Sequence, residues 1–204
     1  MNLSKKLVVA LLAAGMFVTA NAQIQFGVKA GPSFTSFVGS DAGGAKLLVG
    51  FHGGAFVKIP IINDQFSLQP EVQYSGQGAK GTDETSGVSF TNRNNYVNVP
   101  VMFTFTHSSG LILQTGPQVG FLISSKVSAQ GMSADTKDVY KSTDIGWGTG
   151  IGYISTANIG FIARYSVGWL NAENKNNPNT SGEGSIRNIG FQLSVFYLFG
   201  GSDR

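Results

Sequence analysis

The chain lacks cysteine, carries little charge and, past its N-terminus, has no long apolar run. Without cysteine there are no disulfide staples and no thiolate metal sites. With only two histidines among 204 residues, the ligand supply does not point to a transition-metal centre either. Charged residues are 12% of the chain, where a soluble globular domain carries about 25%. After residue 22 no segment approaches the roughly 18 consecutive apolar residues of a membrane-spanning helix. What is abundant is glycine, 28 residues, and the Gly-rich runs alternate with apolar residues inside strand-like segments, unlike phosphate-cradling loops.

The first residues predict export. Lys5 and Lys6 precede an uncharged apolar stretch over residues 7–20, and Ala20-Asn21-Ala22 supplies the small-x-small pattern of signal-peptide cleavage. We expect residues 1–22 to be a signal peptide cut before Gln23, and residues 23–204 to form one domain. The absence of a cysteine after the apolar stretch closes the lipoprotein route. Removing Lys5 and Lys6 takes away two of the three net positive charges. No basic face for nucleic acid remains.

Period-two alternation, the signature of strands with two different faces, recurs eight times. The segments are residues 25–34, 48–59, 65–76, 95–105, 111–124, 143–154, 159–170 and 186–199. In residues 65–76, Phe66, Leu68, Val72 and Tyr74 oppose Ser67, Gln69, Glu71, Gln73 and Ser75. In residues 143–154, Ile145, Trp147, Ile151 and Tyr153 oppose Gly146, Gly148, Gly150 and Gly152. The connections alternate without exception. Residues 35–47, 77–94, 125–142 and 171–185 are long and polar, while 60–64, 106–110 and 155–158 are short. Short periplasmic turns, long extracellular loops and an even strand number are the pattern of an outer-membrane barrel.

The second face decides which side meets lipid. It is made of Gly, Ser and Gln with few long charged groups, which suits the narrow interior of an eight-stranded barrel. The apolar face carries aromatics near both strand ends: Phe34, Tyr74, Phe121, Trp147 and Trp169 towards the loops, and Phe26, Phe66, Phe105, Tyr153 and Tyr197 towards the turns. Two such girdles are expected of a lipid-facing surface. The predicted fold is all-β, an eight-stranded antiparallel up-and-down transmembrane barrel.

Several stretches carry a family likeness: FGVKAGPSF (residues 26–34), YVNVPVMFTF (96–105), LQTGPQVGFLI (113–123), GTGIGY (148–153), RYSVGWLN (164–171) and NIGFQLSVFYLF (188–199). In order and spacing they resemble the PorT-type family of small bacterial outer-membrane barrels, the outer membrane protein beta-barrel domain. Asn98 stands where that family usually has an acidic residue before Pro100. The resemblance implies fold and location; family members serve diverse roles. The last strand also looks like the insertion signal of such barrels, read by the barrel-insertion machinery, although residues 200–204 follow its final aromatic Phe199.

The chemistry-bearing residues fall on the inward face. Lys29, Glu71 and Arg164 are placed near mid-strand, and an enclosed carboxylate needs a cationic partner. We expect Glu71 to pair with Arg164 or Lys29, with Gln69, Gln73, Gln114 and Gln192 completing a lumen network. His52 and Lys58 share that polar face. His107-Ser108-Ser109 has the His-x-Ser spacing of a lipid A deacylase barrel, but it occupies a short turn on the periplasmic side and reads as ordinary turn chemistry.

These features predict a non-enzymatic barrel without cofactor or metal, acting structurally or through interactions of its four long extracellular loops. The alternatives are a narrow channel for small solutes and a soluble lipocalin-like carrier with its apolar face inward. The expected surroundings are outer-membrane lipids and an unidentified extracellular ligand or protein, with the chain a monomer.

Overall fold

The computed structural model describes residues 24–40, 42–63, 65–82, 87–172 and 185–200; the expected signal peptide lies outside them. Nine strands follow in chain order: β1 (Gln25–Val38), β2 (Lys46–Ile62), β3 (Phe66–Thr82), β4 (Ser89–Thr106), β5 (Leu111–Ala129), β6 (Met132–Asp135), β7 (Thr143–Ile154), β8 (Ile159–Gly168) and β9 (Arg187–Phe199). Each pairs antiparallel with its chain neighbour, except that β7 pairs with β5 past the short β6. The first and last strands also pair, from Phe26↔Phe199 to Val38↔Arg187. The ring therefore closes with eight strands, and β6 is a side hairpin on β5. Closure pairs the backbone around the ring, as strands that cross hydrocarbon must do.

Alternation sorts the side chains as a membrane barrel requires. On β3, Ser67, Gln69, Glu71, Gln73 and Ser75 are buried in the lumen. On the outer face Phe26, Phe103 and Phe161 are 60%, 55% and 61% exposed, and Val72, Ile151 and Val195 stand out beside them. A soluble lipocalin-like carrier would turn these residues inward, so that alternative is overturned. Near the loops Trp147 and Trp169 stack at 5.8 Å, and Trp147 donates its indole N–H to Thr115 Oγ1 at 2.8 Å. They form part of the upper girdle, where an amphipathic ring suits the interface.

The strands run further towards the loops than their apolar alternation does. Residues 77–94, read from sequence as a loop, are largely hairpin, with β3 and β4 paired as far as Thr82↔Ser89. Residues 125–142 likewise begin as strand: β5 continues to Ala129, reverses at Gln130 and Gly131 (φ 50° and 81°) and returns as β6. Two successive positive φ angles fit the twist of a two-residue hairpin. Outside the bilayer a backbone ladder needs no apolar face, so hydrophobic periodicity stops before the strand does. One wall of the barrel is consequently tall: β3, β4 and β5 have 17, 18 and 19 residues, against 12, 10 and 13 for β7, β8 and β9.

Candidate functional site

The lumen is where side chains of distant strands meet. Glu71 on β3 lies at its centre, fully enclosed. Arg164 on β8 meets it with both prongs, Nη1 to Oε2 at 2.8 Å and Nη2 to Oε1 at 2.7 Å. Lys29 Nζ on β1 donates to Oε2, and Gln69 Nε2 donates to Oε1 at 2.8 Å. Arg164 Nη2 also donates to Gln114 Oε1 on β5, at 2.7 Å. A two-pronged charge-assisted pair is strong and directional. One carboxylate thus joins two cations and ties together β1, β3, β5 and β8. The glycines of β7 provide the room. Gly150 lies between Gln114 and Arg164 in the register, and a Cβ there would come within 3.1 Å of Gln114 Nε2.

The other expected network members are in the lumen but not on Glu71. Gln192 Nε2 donates to Ser75 Oγ at 3.4 Å, a long contact. His52 Nε2 meets Ser194 Oγ at 2.7 Å. Gln73 is buried, and its Oε1 has no hydrogen-bond partner among the described residues. Lys58 is buried nearer the turns, opposite Gln25. His107 Nδ1 and Ser109 Oγ do meet, at 2.9 Å, yet both are exposed in the turn after β4. Ser109 N–H also donates to that ring nitrogen at 3.2 Å, which is a turn contact. Among the described residues no group of three His, Asp or Glu side chains is placed to hold a metal ion.

Two apolar layers flank the network. Towards the turns, Phe56, Ile112, Ile154, Ile162, Phe196 and Leu198 pack into one buried cluster inside the barrel. Phe56 and Phe196 meet edge-to-face at 5.9 Å, a favoured aromatic geometry. Each ring lies over a glycine of the adjoining strand: a Cβ at Gly27 or Gly160 would come within 2.2 Å of the respective Cζ. Towards the loops, Tyr140 turns into the mouth after a 3-10 turn at Lys137–Val139 and packs on Tyr96, Leu122 and Ala172. It stacks on Phe37 at 6.2 Å, and its hydroxyl accepts from Asn92 Nδ2. Neither layer stands out from strand alternation alone. The cue for the first was a glycine opposite an inward phenylalanine, and for the second an isolated Val139-Tyr140 pair in an otherwise polar stretch.

A closed ring with an apolar exterior, a polar interior and aromatics at both rims is a transmembrane barrel, and the sequence profile of the outer membrane protein beta-barrel domain matches residues 19–172. The chain belongs to that family. It is an integral outer-membrane protein, and its lumen is the interior of a membrane barrel. Similar solved structures include Neisserial surface protein A, 18% identical with a TM-score of 0.52 over 84% of this chain and 96% of that one. Another is Ail, the attachment invasion locus protein of Yersinia pestis, in complex with the heparin analogue sucrose octasulfate. It is 14% identical, with a TM-score of 0.50 over 86% of this chain and 99% of that one. At these identities the likeness speaks to fold. No curated protein sequence matches the chain.

Proposed function

We propose that this outer-membrane barrel is a sealed, non-enzymatic scaffold that acts through its extracellular side. The observation that carries this reading is the Glu71 network, spanning the lumen from Lys29 on β1 to Arg164 on β8, with an apolar layer on either side. Ions crossing such a bore would have to part a desolvated ion pair and pass two water-excluding plugs. What projects beyond the apolar belt is the upper part of β3, β4 and β5 with the hairpin β6. Those parts offer the surface on which a partner would dock. The Ail structure was obtained with a sulfated sugar bound, which makes an anionic saccharide a reasonable first ligand to screen.

Planar-bilayer recording of the refolded protein tests the reading. We expect no stable conductance; steady single-channel steps from the parent protein would replace the scaffold with the narrow channel. Within the family, the strand motifs support a PorT-type member. We also infer cleavage before Gln23, insertion directed by the final strand and a monomeric state. N-terminal sequencing and light scattering of the purified outer-membrane form check the first and last of these.

A further inference from the structure

Above the lipid belt, the outer face of the tall wall changes character within two rows of residues. The last full apolar row is Tyr74, Val97 and Phe121, neighbours across β3, β4 and β5, with the bulged Ile123 exposed just above Phe121. The next row is Gly76, Asn95 and Ser124, where Asn95 Nδ2 donates to Ser124 Oγ at 2.8 Å. The row above holds Arg93 directly opposite Lys126, with Gly78 on the other side of Arg93. Lys80 lies two residues beyond Gly78 and stands opposite Lys46 of β2. All four cations are exposed. Like charges facing each other across a ladder are destabilising, and none of the four has an ion pair among the described residues. Asp135 is opposite Lys126 and its Oδ1 accepts the Lys137 backbone N–H at 2.8 Å, so its carboxylate offsets part of the local charge and leaves the patch net positive.

We propose that Lys46, Lys80, Arg93 and Lys126 form a binding site for the phosphate group of an anionic lipid in the outer leaflet. Height supports a lipid as the occupant. Arg93 is four residues from Val97 along β4, roughly 13 Å, or about 10 Å above that row once a strand tilt of 35–45° is counted; Lys80 and Lys46 stand one row higher. Long basic side chains lean back from there to the headgroups while their stems cover apolar surface. Arg93 provides the planar fork that suits a phosphate, and the lysines provide point charge. The site lies on one side of the ring, so bound lipid would form a local patch and not an even annulus.

The test uses the full chain refolded in phosphatidylcholine vesicles containing spin-labelled phosphatidic acid or spin-labelled phosphatidylcholine. The parent protein should immobilise severalfold more of the phosphatidic acid, and high salt should remove the preference. Arg93→Gln with Lys126→Gln should abolish it. Arg93→Lys should retain part of it, and Arg187→Gln on β9 should leave it intact. Folding of each variant is read independently from the gel shift between boiled and unboiled samples. Equal immobilisation of the two lipids by the parent, or an unchanged preference in the folded double variant, overturns the proposal. Inorganic phosphate is the second arm and should compete weakly, having no acyl chain to hold it at the belt. If it displaces phosphatidic acid at matched concentration, the site is one for a free anion and the lipid assignment is wrong.

Discussion

Glu71 and Val72 are adjacent in the chain and live in different solvents. Glu71 is 2% exposed, gripped by Arg164, Lys29 and Gln69 inside the barrel; Val72 is 57% exposed on the face that meets lipid. The same division runs along the eight strands of the ring and inverts the arrangement of a soluble protein. The outer face needs only to be apolar, because lipid tails adapt to whatever shape they meet. The inner face is bounded on all sides and must satisfy both charge and volume. Specific contacts therefore concentrate inside, and substitutions that look alike should differ sharply between the two faces.

The largest effect is expected from Glu71→Gln. It leaves two buried cations without a counter-charge, and breaking a buried pair in this way costs about 3–5 kcal/mol. The gel-shift transition temperature should fall steeply, whereas a variant replacing Glu71, Arg164 and Lys29 together with methionine should recover much of the loss. A parent-like melt for Glu71→Gln would mean the interior tolerates charge as the rim does. Next is Val72→Arg, one position away and facing lipid, with a cost of about 2–4 kcal/mol at mid-depth; folding titrations in urea with lipid vesicles would read it. If Val72→Arg proved neutral, the assignment of the two faces would be reversed at this strand.

Gly27→Ala probes volume without charge. The added methyl collides with the Phe56 ring, and overpacking of this kind costs about 1–3 kcal/mol. Pairing it with Phe56→Leu should restore stability, as a double-mutant cycle would reveal. The smallest expected change is Tyr140→Phe, which removes the hydroxyl that Asn92 donates to and should cost about 0.5–1.5 kcal/mol. Because the Glu71 network lies beneath it, even Tyr140→Ala should remain non-conducting in planar bilayers. A conductance step in that variant would place the seal at the mouth instead of the middle.

Much of this was legible in the residues. Strict alternation in residues 65–76 placed Glu71, Gln69 and Ser75 on one face and Val72 and Tyr74 on the other, because a strand sends successive side chains to opposite sides. The ring of eight followed from counting such segments and from the regular exchange of short and long connections. The lumen contacts were legible only in part. Glu71 had two candidate cations, and the fold brings both to it. Gln192 and Gln73, placed in the same network from sequence, instead lie near Ser75 or without a hydrogen-bond partner at Gln73 Oε1 among the described residues.

By itself, then, the amino-acid pattern determined the faces, the strand count and the chemistry of the interior, since each depends on neighbours along one strand. Beyond the Glu71 pairing, the tertiary structure decided who meets whom across the lumen. That outcome depends on the accumulated register around the ring, and a single irregularity shifts it: β5 inserts an extra residue where Asn95 faces Ser124 but Tyr96 faces Leu122, and β2 slips against β3 between Leu47 and His52. It also depends on where polar strands stop in water, for which hydrophobic periodicity carries no signal. Tyr140 is the clearest instance. Nothing local sends it into the mouth of the barrel; only the closed ring offers it a surface formed by Tyr96, Leu122 and Ala172 to cover.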